Sequence, residues 1–496
     1  MPHDYKDRDF ILAGIKDGFH IVNSDKINTP VDVDNYKSAT AGEMRARTEA
    51  QIRSELDNGH YKIVKDKPTI VSALGAIPKK DSKNVRIIHD GSRPAGFSLN
   101  DAASTNHFQY QSIQDATDLV TPNCYFAKID LSNAYRSVKI HQSNLQATGL
   151  KWKFKGDNHY TFMVDERMPF GGRKCPEIFN RITQSVRAMM AKKGFNTIVV
   201  YLDDFLIIAK TRAECQAAME SLLKLLRELG FAINYKKIEL PTQKLVFLGI
   251  LLDSTSMTIS VPNEKIQETK LLLQYFMNAR KVTKRQIQSL AGKLVLLTQC
   301  VYGGRFHLRR LFDRANQLRH PGHRSLVTMD MKQDIVWWLN FLDVFNGTMP
   351  MLDSRPGTSI SIDSCQIAAG GFFNGECVYT PWSDQTSKLP INYLEVLALE
   401  PAIGQWAHQL ANKKVYVHCD NVAAVSIINR GSCKNRTVMN SLRRVFWLSA
   451  IYNFRLKAVY YRGISNVLAD SVSRLHEKGG GKRLAWYMRN AGYMFV

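Results

Sequence analysis

Apolar residues follow two different spacings along the chain, and each spacing predicts a different element. Short apolar runs bounded by polar residues, typical of β-strands, occupy 69–78, 85–90, 124–130, 197–209 and 245–253. Helical spacing appears between them, most clearly over 212–229. This alternation predicts an α+β fold for the first half of the chain.

From about residue 262 the apolar spacing becomes helical. Thr283 is predicted to cap a helix whose apolar face lies at three- and four-residue spacing. That face consists of Ile287, Leu290, Ala291, Leu294 and Leu297. The pattern predicts a helical segment over 262–324.

Strand-like runs return at 359–364, 370–380 and 414–420, interleaved with predicted helices near 392–410 and 421–430. Residues 325–356, which contain two tryptophans and a Pro-containing stretch, lie between the helical segment and these runs. We therefore expect a connection over 325–356 and a separate α/β domain from about 357.

The net charge of the chain indicates which kind of partner it binds. The 67 Lys and Arg residues exceed the 44 Asp and Glu residues and give a net charge of +23, which favours a polyanion such as nucleic acid. An anionic membrane is disfavoured because no run of 18 apolar residues occurs and the first ten residues lack an apolar signal core. The eight cysteines form no Cys-x-x-Cys pair, so we expect reduced thiols and a cytoplasmic or nuclear location.

The helical segment is unusually basic between residues 279 and 324. A solvated helix face and a phosphate-contact surface both explain a charge run, and the imbalance here favours the second. Eleven cations stand against the single acid Asp313: Arg280, Lys281, Lys284, Arg285, Lys293, Arg305, Arg309, Arg310, Arg314, Arg319 and Arg324.

Three carboxylates in the first half predict a metal site. Asp203 and Asp204 lie between two apolar runs that resemble the arms of a hairpin, where aspartate also simply suits a turn. Asp130 ends another apolar strand that could run beside that hairpin. Converging carboxylates repel one another unless a divalent cation neutralises them, and two Mg²⁺ ions would suit phosphoryl transfer, with Mn²⁺ as an alternative.

The YLDD sequence at 201–204 resembles the catalytic box of reverse transcriptases. Other boxes follow in the family's order: 128–140 resembles the first aspartate box, 168–179 the template and nucleotide box, and 247–253 the primer-grip hairpin. Residues 77–90 are similar to the fingers segment. The resemblance implies a right-hand polymerase with fingers, palm and thumb, in which Asp130, Asp203 and Asp204 hold the metal ions.

The same resemblance implies nucleotide-binding roles. Lys79 and Arg86 would contact the incoming triphosphate, and Tyr135 would exclude a ribose 2′-hydroxyl unless it is only a core tyrosine. Phe170 stands where retroviral enzymes carry Gln, as in retrotransposon enzymes, and Gly171 allows close backbone approach. Either Lys236, which we favour, or Lys237 would protonate the leaving pyrophosphate, unless both are solvated loop lysines.

Four carboxylates of the C-terminal part recur in settings that resemble RNase H. They are Asp363, Glu395, Asp420 and Asp470, which the resemblance makes catalytic and metal-binding residues. The surrounding sequences are most similar to retrotransposons of the DIRS type and related LTR elements. Two positions depart from the pattern: Tyr460 stands where the family often has His, and Pro401 could kink or end the helix that carries Glu395.

Together these features predict an RNA-directed DNA polymerase with a ribonuclease H, acting in retrotransposon replication. We expect fingers and palm over 1–261, thumb over 262–324, connection over 325–356, RNase H over 357–478 and a tail over 479–496. Expected partners are an RNA template, a DNA or RNA primer, the RNA–DNA hybrid and dNTPs. The thumb residues expected to contact nucleic acid are Lys284, Arg285, Lys293, Arg305, Arg309 and Arg310. A non-catalytic RNA-binding protein and an RNA-templated RNA polymerase are the alternatives.

Overall fold

The computed structural model describes residues 1–79, 84–106, 108–345 and 347–493. It divides into two compact units, the first made of residues 1–248 with 252–257 and the second of residues 249–251 with 258–496. Residues 80–83 of the expected fingers segment and the last three residues of the expected tail lie outside the described residues. No helix in the described ranges is long and apolar enough to cross a membrane.

The first unit mixes helices and strands. Its helices are α1 (Arg8–Asp17), α2 (Lys37–Thr40), α3 (Gly42–Asp57), α4 (Ile113–Thr117), α5 (Cys175–Lys192) and α6 (Arg212–Glu228). Its strands are β1 (Val31–Asp32), β2 (Tyr61–Ile63), β3 (Ile70–Val71), β4 (Ala73–Pro78), β5 (Val85–Asp90), β6 (Tyr125–Asp130), β7 (Gly149–Trp152), β8 (Thr161–Asp165), β9 (Ile198–Tyr201), β10 (Asp204–Ala209) and β11 (Glu239–Thr242). The chain then passes towards the second unit through β12 (Lys244–Phe247) and β13 (Ile250–Asp253).

Three sheets organise the first unit: β1-β3-β7-β8-β2, the hairpin β4-β5, and β11-β6-β10-β9. The last sheet packs on α5 and α6. Ile129 and Phe205 from its strands share one buried core with Phe179 of α5 and Leu222 of α6. Burial of this apolar face stabilises the sheet and leaves the strand ends, where the polar residues lie, at its rim.

Arg136 forms a buried ionic contact between other parts of the unit. Its guanidinium donates to Asp165 at 2.7 and 2.9 Å and to Glu55 of α3 at 2.8 and 3.1 Å. A buried charge is tolerated only when it is paired and hydrogen-bonded. The clamp therefore ties α3 and the end of β8 to the 3₁₀ turn Ala134–Ser137.

The second unit also contains both helices and strands, and its helices are listed first. They are α7 (Asn263–Asn278), α8 (Lys284–Leu297), α9 (Arg309–Gln317), α10 (Met329–Val344), α11 (Ile391–Leu397), α12 (Leu399–Trp406), α13 (Val422–Arg430), α14 (Arg436–Ile451), α15 (Val467–Ser473) and α16 (Gly480–Asn490). Its strands are β14 (Thr258–Ser260), β15 (Lys281–Thr283), β16 (Arg324–Leu326), β17 (Thr348–Pro350), β18 (Gly357–Ser364), β19 (Ala368–Phe373), β20 (Glu376–Pro381), β21 (Lys414–Cys419) and β22 (Arg455–Tyr460).

The predicted start of α8 is confirmed. The Thr283 side chain accepts from Gln286 N, Gln286 completes a capping box, and the five predicted apolar residues are all buried. The reciprocal hydrogen bonds between Thr283 and Gln286 satisfy backbone N–H groups that have no partner inside the helix.

A five-stranded sheet in the order β20-β19-β18-β21-β22 forms the core of the C-terminal part. Pairs β20-β19 and β19-β18 are antiparallel, whereas β18-β21 and β21-β22 are parallel. Both faces are covered: Phe373 belongs to one buried core with Trp406, and Phe372 belongs to another with Val472 of α15. Double coverage explains why β19 is an unbroken apolar run.

Candidate functional site

The first candidate site lies at the end of β9 and β10, which form the predicted hairpin. Asp204 pairs with Tyr201, so Leu202 and Asp203 make the two-residue turn. Leu202 has φ 53°, a left-handed conformation that is costly for a branched side chain and is found mostly where function demands a special backbone. The turn presents Asp203 at the rim of the sheet.

The neighbouring strand supplies the third carboxylate, as predicted. β6 pairs with β10 in antiparallel register, and Asp130 lies directly opposite Asp204. Leu131 N donates to Asp203 O at 3.0 Å, which holds the turn against the end of β6. Cross-strand neighbours in this arrangement lie about 5 Å apart, so the chain brings Asp130 and Asp204 together over 74 positions of sequence.

The electrostatics of this cluster suit a cation. Burial, together with the charges of Asp203 and Asp130, raises the pKa of Asp204 to about 6. The pKa of Asp203 is also raised, by burial and then by Asp130. These carboxyl groups ionise less readily because they are buried and lie close to one another. Their oxygen atoms are the type of ligand that Mg²⁺ prefers.

Asp130 is held by residues that follow α6. Asn234 Nδ2 donates to Asp130 Oδ1 at 3.0 Å, and Lys237 Nζ lies 3.1 Å from Oδ2. Lys236 makes no hydrogen bond or ion pair within the described residues, so the geometry brings Lys237 rather than Lys236 to the carboxylates. The 3₁₀ turn Tyr235–Lys237 decides between the two adjacent lysines, and sequence patterning carries no signal for that choice.

Three expected nucleotide-binding residues stack beside this cluster. The Arg86 guanidinium lies 4.9 Å from the centroid of the Phe170 ring, and the Tyr135 ring lies 5.4 Å from the same ring. Burial, followed by nearby ionisable groups that include Asp203, raises the pKa of Tyr135, which stays protonated. A cation and two aromatic rings therefore line a surface next to the acids.

Gly171 allows the backbone to approach this surface closely. Its φ is +118°, and a Cβ built on it would lie 1.9 Å from His89 O. His89 N donates to Phe170 O at 2.8 Å and Asn100 Nδ2 donates to Gly171 O at 3.0 Å. Only glycine fits here, because the close neighbour is the His89 backbone; an approach to a nucleotide stays a prediction. Lys79, at the end of the β4-β5 hairpin, is described only through its backbone hydrogen bond to Asn84 O.

The second candidate site lies at the adjacent ends of β18 and β21. Asp363 lies near the end of β18, Asp420 directly follows β21, Glu395 lies on α11 and Asp470 on α15. Gly463 lies against this site, since a Cβ on it would be 2.9 Å from Asp420 Oδ2. Parallel strands end at one edge, which is why acids 57 positions apart, Asp363 and Asp420, become neighbours.

Mutual repulsion is strongest at Glu395. Burial raises its pKa to about 9, helped by the charges of Asp363 and Asp420, and burial raises the pKa of Asp363 to about 6. Among the described residues, one set of three donors has ligand atoms all within 4.8 Å, namely Glu395, Cys419 and Asp420. The three carboxylates of the first site are not gathered as tightly.

Several residues of the second site were not anticipated from sequence. Ser473 Oγ donates to Asp363 Oδ2 at 2.6 Å, and Cys419 Sγ lies 3.8 Å from Glu395 Oε2. Arg474 Nε donates to Asp470 Oδ1 at 2.7 Å. These partners orient the acids, and Arg474, four positions after Asp470, is the one whose spacing carried a sequence signal.

The two departures noted in the sequence can now be located. Tyr460 ends β22, opposite Cys419 on β21, and its side chain is exposed. The helix that carries Glu395 ends at Leu397, and a second helix containing Pro401 in its first turn begins at Leu399. Pro401 thus accompanies a break just past Glu395, as expected from its missing N–H.

The six cations of 262–324 that were predicted to contact nucleic acid fall into two groups. Four are engaged within the unit: Lys284 Nζ donates to Leu318 O, Lys293 pairs with Glu268, Arg309 with Asp313 and Arg310 with Asp334. Arg285 and Arg305 are exposed and form no ion pair within the described ranges. Sequence counting could not separate these groups because pairing is decided by packing.

The chain is similar in sequence to known proteins. Residues 77–252 match the family described as reverse transcriptase (RNA-dependent DNA polymerase). The chain is 24% identical over 372 residues to the genome polyprotein of Petunia vein clearing virus (isolate Shepherd), a match that covers 71% of this chain and 15% of that protein. It is 21% identical over 435 residues to the Transposon Tf2-3 polyprotein of Schizosaccharomyces pombe, covering 80% and 28%.

The fold is shared with a solved structure. The foamy viral protease-reverse transcriptase in complex with RNA/DNA hybrid matches with a TM-score of 0.54 and 18% identity, over 90% of this chain and 56% of that chain. This likeness confirms the predicted α+β, right-hand polymerase fold. The chain spans less than a third of the length of the two polyproteins it matches.

Proposed function

We propose that the reverse transcriptase domain of this chain, of the type found in retroelement and viral polyproteins, copies RNA into DNA. The observation that carries the proposal is the register of β6 and β10, which sets Asp130 opposite Asp204 with Asp203 in the adjoining turn. The contacts of Arg86 and Tyr135 with the Phe170 ring support it, because a polymerase must bind a nucleotide beside its carboxylates.

The chain's own residues would divide the work. Asp130, Asp203 and Asp204 would hold divalent cations, Mg²⁺ or Mn²⁺, which when bound activate the primer hydroxyl and stabilise the leaving pyrophosphate. Arg86 would contact the triphosphate, and the Tyr135 ring would collide with a 2′-hydroxyl and so select dNTPs. Lys237, 3.1 Å from Asp130, is better located than Lys236 to give a proton to pyrophosphate.

We propose further that the second unit carries an RNase H activity that cleaves the RNA strand of the hybrid. Four acids support this: Asp363, Glu395, Asp420 and Asp470 would hold two further metal ions. Within the proposal, 1–261 supplies fingers and palm, 262–324 the thumb, 325–356 the connection and 357–478 the nuclease. The sequence similarity to DIRS-type elements suggests retrotransposon replication as the setting.

Primer extension on an RNA template tests the polymerase proposal. Asp203→Asn removes a metal ligand but not the basic surface, so extension with Mg²⁺ and dNTPs is expected to fall by at least about 10³-fold while hybrid binding persists. Asp157→Asn, the same change in an exposed turn, is the matched control. Offering NTPs separately identifies an RNA polymerase. Undiminished extension by Asp203→Asn would falsify the assignment.

Cleavage of a labelled hybrid tests the nuclease proposal. Glu395→Gln is expected to abolish RNA cleavage and leave DNA synthesis intact, because Glu395 lies with the acids of the second candidate site and not with the carboxylates of β6 and β10. Glu400→Gln, on the next helix and paired with Arg444 instead, is the control. Joint loss of both activities in Glu395→Gln would instead indicate a structural role for Glu395.

A further inference from the structure

The first unit contains a cavity of about 760 Å³ whose lining includes none of the residues assigned above. It runs along one face of α5, from Glu177 to Ala191, and is lined on its other sides by the N-terminal segment 5–7 and by residues 106, 108, 109 and 111. Its volume lies in the range of sites that hold small molecules. The cavity therefore has the size of a ligand site, and the α5 helix forms one of its sides.

Together with the acids Asp7 and Glu177 and three cations, six side-chain amides line the cavity: Asn106, Gln109, Gln111, Asn180, Gln184 and Asn196. Asn180 is 7% exposed, and its Oδ1 has no hydrogen-bond partner within the described residues. Leaving a buried amide acceptor unpaired costs about 1–3 kcal/mol. Asn180 is therefore a lining residue whose amide keeps unused hydrogen-bonding capacity, at an oxygen that is itself buried.

The remaining walls provide stacking surfaces and positive charge. Tyr5 and Phe108 line the cavity with aromatic rings, whereas Ala188 and Ala191 leave room along the helix. Lys6 is exposed, and the Nε of Arg187 donates a hydrogen bond to Ile198 O at 2.8 Å. Arg181 is already paired with Asp7 at 2.6 Å, so Lys6 and Arg187 are the cations at the rim best able to meet an anion.

We propose that this cavity is a second nucleotide-binding site, which takes one nucleoside monophosphate unit apart from the polymerising nucleotide. Amide side chains match the mixed donors and acceptors of a nucleobase edge, aromatic rings stack on its faces, and Lys6 and Arg187 meet its phosphate. Membrane lipids fit less well, because amide and charged side chains interrupt the aromatic and alanine surface of the lining.

The cavity also contacts the strand that precedes the catalytic turn. Gln111 Oε1 accepts from Val200 N at 2.9 Å, and Gln184 Nε2 donates to Val200 O at 3.4 Å. The neighbouring Tyr110 ring lies 5.1 Å from the ring of Tyr201. A bound nucleotide would therefore order side chains that hold the edge of β9.

The site is tested by measuring, with calorimetry, the binding of free mononucleotides to the full chain. AMP, CMP, GMP and UMP are offered without metal ions, with inorganic phosphate as the comparison. Ala188→Phe fills the cavity and is expected to weaken binding by about tenfold or more. Ala217→Phe, the same change at an exposed position of α6, is expected to bind like the wild type.

The two sources of such a nucleotide are distinguished by a short single-stranded RNA and its abasic counterpart. If the strand is the source, the abasic oligonucleotide binds more weakly than the intact one, and Ala188→Phe removes that difference. If a free nucleotide is the source, the mononucleotides bind and the difference is absent. Either result supports the site.

Binding of neither probe, or equal binding by wild type and Ala188→Phe, overturns the proposal. Asn180→Leu, which keeps the volume of the side chain but removes its amide, provides a second variant should Ala188→Phe not fold. Primer extension is measured on the same proteins, so loss of polymerase activity in Asp203→Asn with intact mononucleotide binding separates this site from the proposed function.

Discussion

At the scale of single residues, the site depends on side chains that are close-packed rather than merely polar. Tyr135 touches both Phe170, at 5.4 Å between ring centroids, and Phe179, at 5.3 Å. Aromatic contacts of this geometry fix a ring in place. A ring that cannot swing aside is able to discriminate between sugars that differ by one hydroxyl.

Tyr135→Ala is therefore expected to relax sugar selection. Removing the ring opens space for a 2′-hydroxyl, so incorporation of ribonucleotides relative to deoxyribonucleotides should rise by about ten- to a hundredfold. Single-nucleotide extension with matched dNTP and NTP measures the ratio. Tyr110→Ala, the same truncation next to the proposed second nucleotide site, serves as control. An unchanged ratio in Tyr135→Ala would assign Tyr135 to the core only.

Gly171 supports a second prediction at this scale. Gly171→Ala adds a Cβ that would overlap His89 O, and is expected to destabilise the first unit by more than about 2 kcal/mol. Gly96→Ala also puts a side chain at positive φ, +90°, but nothing lies within 4 Å of its Cβ. Urea denaturation of both variants isolates the clash from the backbone strain. Equal losses would remove the close approach from the explanation.

At the scale of elements, one buried acid joins three parts of the second unit. Asp334 of α10 is 1% exposed and accepts from His307 Nδ1 and Arg310, each at 3.0 Å. Arg443 of α14 lies 3.8 Å away, and the His307 ring stacks on Trp337 at 4.1 Å. Side chains from the 3₁₀ turn Gly304–His307, from α9 and from α14 thus pair with one buried carboxylate, and the loss of any of them leaves its charge less well compensated.

This cluster predicts a sensitivity to acid. Burial lowers the pKa of His307, opposed by Asp334, so the folded unit binds its proton less readily than the unfolded chain. Stability from this source is complete above the unfolded pKa of about 6.5 and is lost as pH falls below it, by at most about 1.4 kcal/mol per pH unit. His307→Gln should lose less stability between pH 7 and pH 5 in urea titrations.

The exposed histidine His408 provides the control for that measurement. His408→Gln is expected to keep the wild-type difference between the two pH values. An unchanged difference in His307→Gln would show that other groups cause the acid loss.

At the scale of the whole molecule, composition fixes the net charge of +23. Which of the cations are free to contact nucleic acid is decided by the folded structure. Within the thumb segment, most of the cations chosen from sequence are bound to acids or carbonyls, whereas Arg285 and Arg305 remain exposed. Only cations that face solvent can displace counterions from nucleic acid.

The salt dependence of hybrid binding is expected to reveal those two residues. In Arg285→Ala/Arg305→Ala, the slope of log K against log salt concentration should decrease by up to about two, one for each phosphate contact. Arg212→Ala/Arg227→Ala removes the same charge from exposed positions of α6. Identical slopes for the two double variants would mean that the thumb arginines make no specific phosphate contact.

Much of the local structure was predictable from sequence. The hairpin around Asp203, the helix at Arg212–Glu228, the cap at Thr283 and the strand beginning near residue 359 all follow from spacing and capping chemistry. Neighbouring residues decide such features, because apolar periodicity and turn preferences act over a few positions. The role of Lys237, by contrast, depended on one 3₁₀ turn that orients it and not Lys236.

By itself, the chain's sequence determined which acids stand at strand ends, which faces are apolar and how strong the overall positive charge is. Folding alone decided that Asp130 meets Asp204, that Cys419 joins Glu395 and Asp420, that an amide-lined cavity opens along α5, and which arginines stay in water. The reason is that strand register, burial and ion pairing join residues tens to hundreds of positions apart, and their energies exist only once those residues are packed together.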